Sequence, residues 1–112
     1  MPLIRIQTSI NKIDNQDEFL NKLSSEISKL TGKSEQYVMT VLETNIPMTF
    51  AGSSFPSCYV EIKSIGALNP PLMSQIICKL ISNKTKIPSN RIYISFEDVA
   101  PNKWGFDGNT FG

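Results

Sequence analysis

The sequence predicts a mixed α/β chain: two βαβ units forming a four-stranded sheet with two helices on one face, followed by short C-terminal strands. Three observations predict it. Segments of strand period and helical period occur twice in the same order. A glycine- and serine-containing stretch, Ala51-Gly52-Ser53-Ser54, joins the two halves. The chain has 112 residues, 40% hydrophobic and 19% charged, which suits one globular domain over 1–112 and leaves no room for a second.

The elements follow in order. Residues 3–8 alternate, with Ile4 and Ile6 on one face and Arg5 and Gln7 on the other, so they read as a strand. Asp14-Asn15-Gln16-Asp17-Glu18 supplies capping side chains and early acids for a helix. Phe19, Leu20, Leu23, Ile27 and Leu30 form its apolar stripe, and Gly32 closes it. Residues 37–46 are rich in β-branched residues and stop at Pro47, predicting a second strand.

In the second half, residues 57–65 alternate, with Cys58, Val60 and Ile62 opposite Tyr59, Glu61 and Lys63. Asn69-Pro70-Pro71 reads as a cap with proline in the first helical turn, and the stripe Leu72, Met73, Ile76, Ile77, Leu80, Ile81 predicts the helix. Pro88-Ser89 marks a turn before a fourth strand over 91–97. The tail from Trp104 to Phe111 has the aromatic and turn content of a short hairpin that seals an edge or reaches a neighbour. The architecture repeats, without an obvious repeat of residues.

Two helices cover only one face of such a sheet. With Tyr59 and Ile65 opposite Val60 and Ile62, the other face is expected to be a sizeable apolar patch that association between copies would cover.

Composition narrows the chemistry. Eleven Lys+Arg against ten Asp+Glu give a net charge of +1, so no electrostatic footprint for nucleic acid or an anionic membrane is expected. There is no histidine, which removes Ser–His and Cys–His nucleophile pairs, His-containing zinc sites and imidazole acid–base steps. Cys58 and Cys78 are too few for a metal cage or a disulfide framework and read as buried small hydrophobes. No metal and no cofactor are therefore expected. The first residues lack a basic segment and a long apolar run, so a cytoplasmic location is expected, with leaderless secretion compatible with the same sequence. The sequon Asn83-Lys84-Thr85 then reads as an accident.

Without histidine, a base at neutral pH must come from elsewhere. Methionine removal would leave Pro2 as a rigid secondary amine at the start of a strand. Burial or a nearby cation would lower its pKa and allow it to act as general base. With Met1 attached the same nitrogen is an amide, and Pro2 could equally do no more than block strand pairing at a frayed end. Lys33 could hold a carboxylate and keep a neighbouring amine deprotonated, or could simply favour the helix C-terminus. Tyr37, Tyr93, Trp104, Phe106 and Phe111 could line an aromatic pocket or belong to the core. Glu61 with Lys63, and Lys79, Lys84 and Lys86, read as solvated faces.

Taken together, the ordered set of motifs resembles the macrophage migration inhibitory factor family of the tautomerase superfamily. The set runs from Met1-Pro2 through Thr31-Gly32-Lys33 with Tyr37 to Phe50-Ala51-Gly52-Ser53-Ser54. Ser64-Ile65-Gly66, Arg91-Ile92-Tyr93-Ile94, and Trp104-Gly105-Phe106 with Thr110-Phe111 complete it. The resemblance implies a homotrimeric barrel with helices outside. It also implies keto–enol tautomerase activity on phenylpyruvate-like and dopachrome-like substrates, with processed Pro2 as general base. By the same resemblance Lys33 binds the substrate carboxylate, and Ser64 and Ile65 lie at the substrate, the latter through its backbone. Tyr93 and Ser95 come from an adjacent subunit, and Tyr37, Trp104, Phe106 and Phe111 form an aromatic wall and rim.

Three departures from the mammalian pattern stand out. Ser95 replaces an asparagine. Ser57 and Val60 occupy the positions of a Cys-x-x-Cys, so no thiol–disulfide chemistry is expected. Trp104 and Phe106 stand where the mammalian cytokine has valine and tryptophan, which reshapes the mouth. A cytokine-like binding protein with a protein partner and a vestigial pocket is the alternative. Hydratase, dehalogenase or decarboxylase chemistry is disfavoured, because only Arg5 and Arg91 are present and Glu61 and Glu97 are expected outside the pocket.

Overall fold

A computed structural model describes residues 1–112. Strands β1 (Leu3–Thr8), β2 (Met39–Glu43), β3 (Cys58–Ser64) and β4 (Ile92–Asp98) form one sheet in the order β2-β1-β3-β4. Pairs β1–β2 and β3–β4 are parallel, and β1–β3 in the middle is antiparallel. Each parallel pair is bridged by a helix, α1 (Gln16–Thr31) or α2 (Pro70–Thr85), so two βαβ units lie side by side.

One face of the sheet supplies Ile4, Ile6, Val60, Ile62 and Ile92 to the core. The helices add Phe19, Leu23 and Ile27 from α1, and Ile77 and Ile81 from α2. Burying an aliphatic side chain of this size contributes roughly 1.5–3 kcal/mol, so these alternating and helical-period residues decide which face is covered. The stripes are narrower than predicted: Leu20 and Leu30 are only half-buried, and Leu72 is exposed.

The two helices repeat at the level of residues. Every position of α1, from 16 to 31, has a counterpart 54 residues later in α2, from 70 to 85. The buried Phe19, Leu23 and Ile27 correspond to Met73, Ile77 and Ile81. Both helices end in one hydrogen-bond pattern. Ser28 Oγ donates to the Lys33 carbonyl at 2.6 Å, and Ser82 Oγ donates to the Ile87 carbonyl at 2.6 Å. Thr31 and Thr85 hydroxyls donate to Ile27 and Ile81 carbonyls, each at 2.7 Å. The chain then turns through Gly32 (φ 71°) or Lys86 (φ 66°), whose N–H groups return to Ser28 and Ser82. The predicted stop at Gly32 is present, and Lys86 takes the same left-handed conformation without being glycine.

Other expectations are corrected. Neither Asn15 nor Asn69 caps its helix through its side chain, and Asn15 itself sits at φ 52°. The second strand is shorter than 37–46 at both ends. Tyr37 belongs to a 3-10 turn, Glu35–Tyr37, whose start is capped by the Ser34 side chain accepting from Gln36 N–H. At the other end Asn45 turns to φ 58°, its N–H bonded to the Ile10 carbonyl.

The uncovered face is not an apolar patch. Arg5, Gln7, Glu61, Lys63, Ser95 and Glu97 occupy it, because the outward residue at most strand positions is polar. Ile65, counted towards that patch, lies beyond the end of β3. Arg5 Nε bonds Glu43 at 2.7 Å and Arg5 NH1 reaches Glu61 at 3.3 Å. The Tyr59 hydroxyl is 2.9 Å from Ser95 Oγ. Of the five large exposed apolar groups, Met39 and Tyr93 lie on the edge strands β2 and β4, Phe55 in the loop before β3, Leu72 on α2 and Phe106 in the tail.

That loop is held by one side chain. The Arg91 guanidinium donates to the carbonyls of Phe50, Ser53, Phe55 and Pro56 at 2.9–3.2 Å and lies over the Phe50 ring. Phe50 in turn meets Tyr93 edge-on at 4.6 Å between centroids.

Candidate active site at the start of the first strand

The register brings one residue from each strand into a row across the open face: Met39, Leu3, Lys63 and Glu97. This row floors a cleft of about 560 Å³. Met1, Pro2 and the 36–38 turn border it on one side, with Val99 and Lys103–Phe106 among its other lining residues. The tail folds back as predicted into a hairpin, β5 (Gly105–Phe106) and β6 (Asn109–Thr110), through Asp107 and Gly108, both at positive φ. That geometry suits a two-residue Asp-Gly turn. The hairpin forms its own small sheet and leaves the main sheet's edges free. It delivers an aromatic wall: Tyr37 meets Phe106 and Phe111 edge-on at 5.5 and 6.2 Å, and Phe106 stacks on Phe111 at 5.6 Å.

Pro2 is fully buried at the border of this cleft, with its carbonyl accepting from Met39 N–H at 3.1 Å. In the chain carrying Met1, the terminal amine has a pKa below its ordinary value of 8.0. Burial is the main cause and the positive charge of Lys33 the second. Lys33 therefore acts on the chain end electrostatically although it is not part of the cleft wall.

The candidate residues divide. Pro2, Tyr37, Trp104, Phe106 and Phe111 meet in the cleft. Ser64 does not: its side chain lies on the helix-covered side, fully buried, and its hydroxyl has no hydrogen-bond partner. Ile65 follows it outside the wall. The turn after β3 is held by Asp98, which accepts from Gly66 N–H at 2.9 Å, and by Val99 N–H donating to the Ser64 carbonyl at 2.9 Å. Tyr93 and Ser95 are on β4, outside the cleft formed by one chain.

Two residues of the floor correct the sequence reading. Glu97, expected outside the pocket, lines it, and so does Lys63, expected on a solvated face with Glu61. Lys63 pairs with Glu97 at 3.9 Å, while Glu61 is taken by Arg5. Strand alternation placed both on the open face, but only the register aligned them with Leu3 and Met39 in the floor of the cleft. Met39 was missed for the same reason, and Val99 and Lys103 because the chain after β4 reaches the cleft outside any strand of the main sheet. Cys58 is buried as expected. Desolvation, helped by nearby Cys78, pushes its thiol up to about 12, so it stays protonated and unreactive at neutral pH.

A βαβ pair of this topology, with a depressed chain-end amine beside a lysine and an aromatic wall, matches a defined class of protein. The family model described as macrophage migration inhibitory factor matches residues 1–112. A macrophage migration inhibitory factor homolog of Brugia malayi is 36% identical over 115 residues, covering 100% of both chains. Among solved structures, the homologue from Prochlorococcus marinus superposes with a TM-score of 0.95 at 47% identity, covering 98% of this chain and 99% of that one. The factor from Trichinella spiralis gives 0.92 at 28% identity, covering 97% and 99%. This chain belongs to the macrophage migration inhibitory factor family, within the tautomerase superfamily.

Proposed function

We propose that the protein is a cofactor-independent keto–enol tautomerase for phenylpyruvate-like and dopachrome-like substrates, working as a homotrimer with processed Pro2 as its base. The observation that carries the reading is the chain-end amine, held below its ordinary pKa at the border of an aromatic cleft. Removal of Met1 moves the amine one residue along, onto the fully buried Pro2 ring. Its neutral nitrogen takes a proton from the carbon next to the carbonyl as the C=C bond of the enol forms. The same nitrogen returns that proton to the carbonyl oxygen, so the amine ends as it began. Lys33 holds the substrate carboxylate, and its charge keeps the resting amine neutral. The aromatic wall takes the substrate ring.

The trimer rests on the sheet edges. β2 and β4 each leave backbone groups unpaired, with Met39 62% exposed near one edge and Tyr93 64% exposed at the other. Joining unlike edges head to tail closes a ring and brings Tyr93 and Ser95 of one copy towards the cleft of the next.

Intact mass establishes removal of Met1, and phenylpyruvate tautomerisation is then compared for the processed protein and Pro2→Gly. A loss of at least about 10²-fold, the scale of a general base, is expected. Equal activity would remove Pro2 from the chemistry, whereas negligible turnover by both proteins, with partner binding that survives Pro2→Gly, would favour a cytokine-like binding role for the same fold.

A further inference from the structure

The charges around the cleft are unequally matched. Lys63 and Glu97 pair with each other across the floor. Lys103, the last residue of the 3-10 turn Pro101–Lys103, also lines the cleft. It makes none of the chain's three ion pairs and none of its side-chain hydrogen bonds. Its backbone is nonetheless fixed, because its N–H bonds the Ala100 carbonyl at 2.9 Å and the following Trp104 and Phe106 belong to the aromatic lining. A cation on a fixed backbone beside a ring-binding surface, with no carboxylate within ion-pair distance and Glu97 paired to Lys63, presents an anion site at the mouth. It is separate in sequence and in attachment from Lys33, which stands by the chain end.

We infer that Lys103 selects aromatic 2-keto acids whose ring carries a second anionic group, such as a ring carboxylate. The inference rests on the reading of the cleft as a tautomerase site. The carboxylate beside the carbonyl occupies Lys33, the ring lies along Trp104 and Phe106, and the second anion reaches Lys103 at the mouth. An exposed pair of this kind changes affinity modestly, by about two- to fivefold, and is weakened by salt.

The test compares phenylpyruvate with 4-carboxyphenylpyruvate for the processed wild type, Lys103→Gln and Lys103→Arg at low and high ionic strength. The wild-type ratio of kcat/KM should favour the dianion by about two- to fivefold at low salt. That ratio should fall to one or below in Lys103→Gln, persist in Lys103→Arg, and shrink at high salt. A parallel measurement keeps the inference separate from the catalytic reading: binding of phenylacetate and 4-carboxyphenylacetate, followed by fluorescence of the single tryptophan, Trp104. Loss of turnover with a Lys103-dependent preference for the dianion would defeat the tautomerase reading and keep the anion site. An unchanged ratio of binding constants in Lys103→Gln would overturn the anion site whether or not the protein turns substrate over.

Discussion

At the scale of single residues, the chain end illustrates how environment rather than residue type sets chemistry. An ordinary α-amino group is mostly protonated at neutral pH and a poor base. Here burial disfavours the ammonium form, and the Lys33 charge adds to that penalty. The direction of a Lys33 substitution follows. Replacing Lys33 by Met removes the cationic one of the two causes, so the pKa of the chain-end amine rises. Activity that requires the neutral amine increases as pH rises through that pKa and levels off above it. The acid limb of the pH–kcat/KM profile, which reports the free enzyme, should therefore move to higher pH in Lys33→Met. KM should rise as well, since the carboxylate loses its partner. A raised KM with an unmoved acid limb would confine Lys33 to substrate binding.

At the scale of elements, the 54-residue correspondence between α1 and α2 makes an internal control available. Ser28 and Ser82 close their helices through geometrically matching hydrogen bonds. Truncating either to Ala should cost about 0.5–1.5 kcal/mol, measured by urea denaturation, with the two costs similar. A large difference would mean that the common geometry hides unequal packing.

The elements also show what could be read ahead of the structure. The strand and helix order, the Gly32 stop and the Asp107-Gly108 hairpin were legible because period and turn chemistry are local properties. The shared Ser-x-x-Thr spacing of Ser28/Thr31 and Ser82/Thr85 was also present in the sequence, but it is masked by the different residues that follow, Gly32-Lys33 and Lys86-Ile87. The true start of β2 was hidden because β-branched content does not register the Ser34 cap that turns Tyr37 out of the strand. In the cleft, Pro2 and the aromatic residues were legible as types. Glu97, Lys63 and Lys103 were not, because their common location depends on register across four strands and on where the tail folds back.

At the scale of the whole molecule, the polar open face changes the physical argument for association. An apolar face would drive sheets together by burial alone. Arg5 already satisfies Glu43 and Glu61 within one chain, and Glu43 is held below the ordinary carboxylate pKa chiefly by its hydrogen bond to Arg5. Such a face can remain hydrated inside a ring whose contacts are made at the edges. Light scattering should give a particle three times the 12.5 kDa chain mass. Tyr93→Arg, placed at an edge, should reduce it towards one, whereas Arg5→Gln, placed on the open face, should change it far less. A monomeric wild type would defeat the edge-to-edge ring.

The Arg91 clamp bears on why a chain built from two matching halves carries one candidate amine. Shifting Pro2 by the spacing that relates the helices leads to Pro56, just before β3 as Pro2 is just before β1. The two prolines differ in covalent circumstance. Pro56 is necessarily an internal amide, with Phe55 bonded to its nitrogen and its carbonyl held by Arg91 Nε at 2.9 Å. The neighbouring carbonyls of Phe50, Ser53 and Phe55 are gathered by the same guanidinium. Connectivity thus divides labour between equivalent corners: one has its incoming chain anchored as a joint, while at the other a single peptide cleavage would expose the secondary amine proposed as the base.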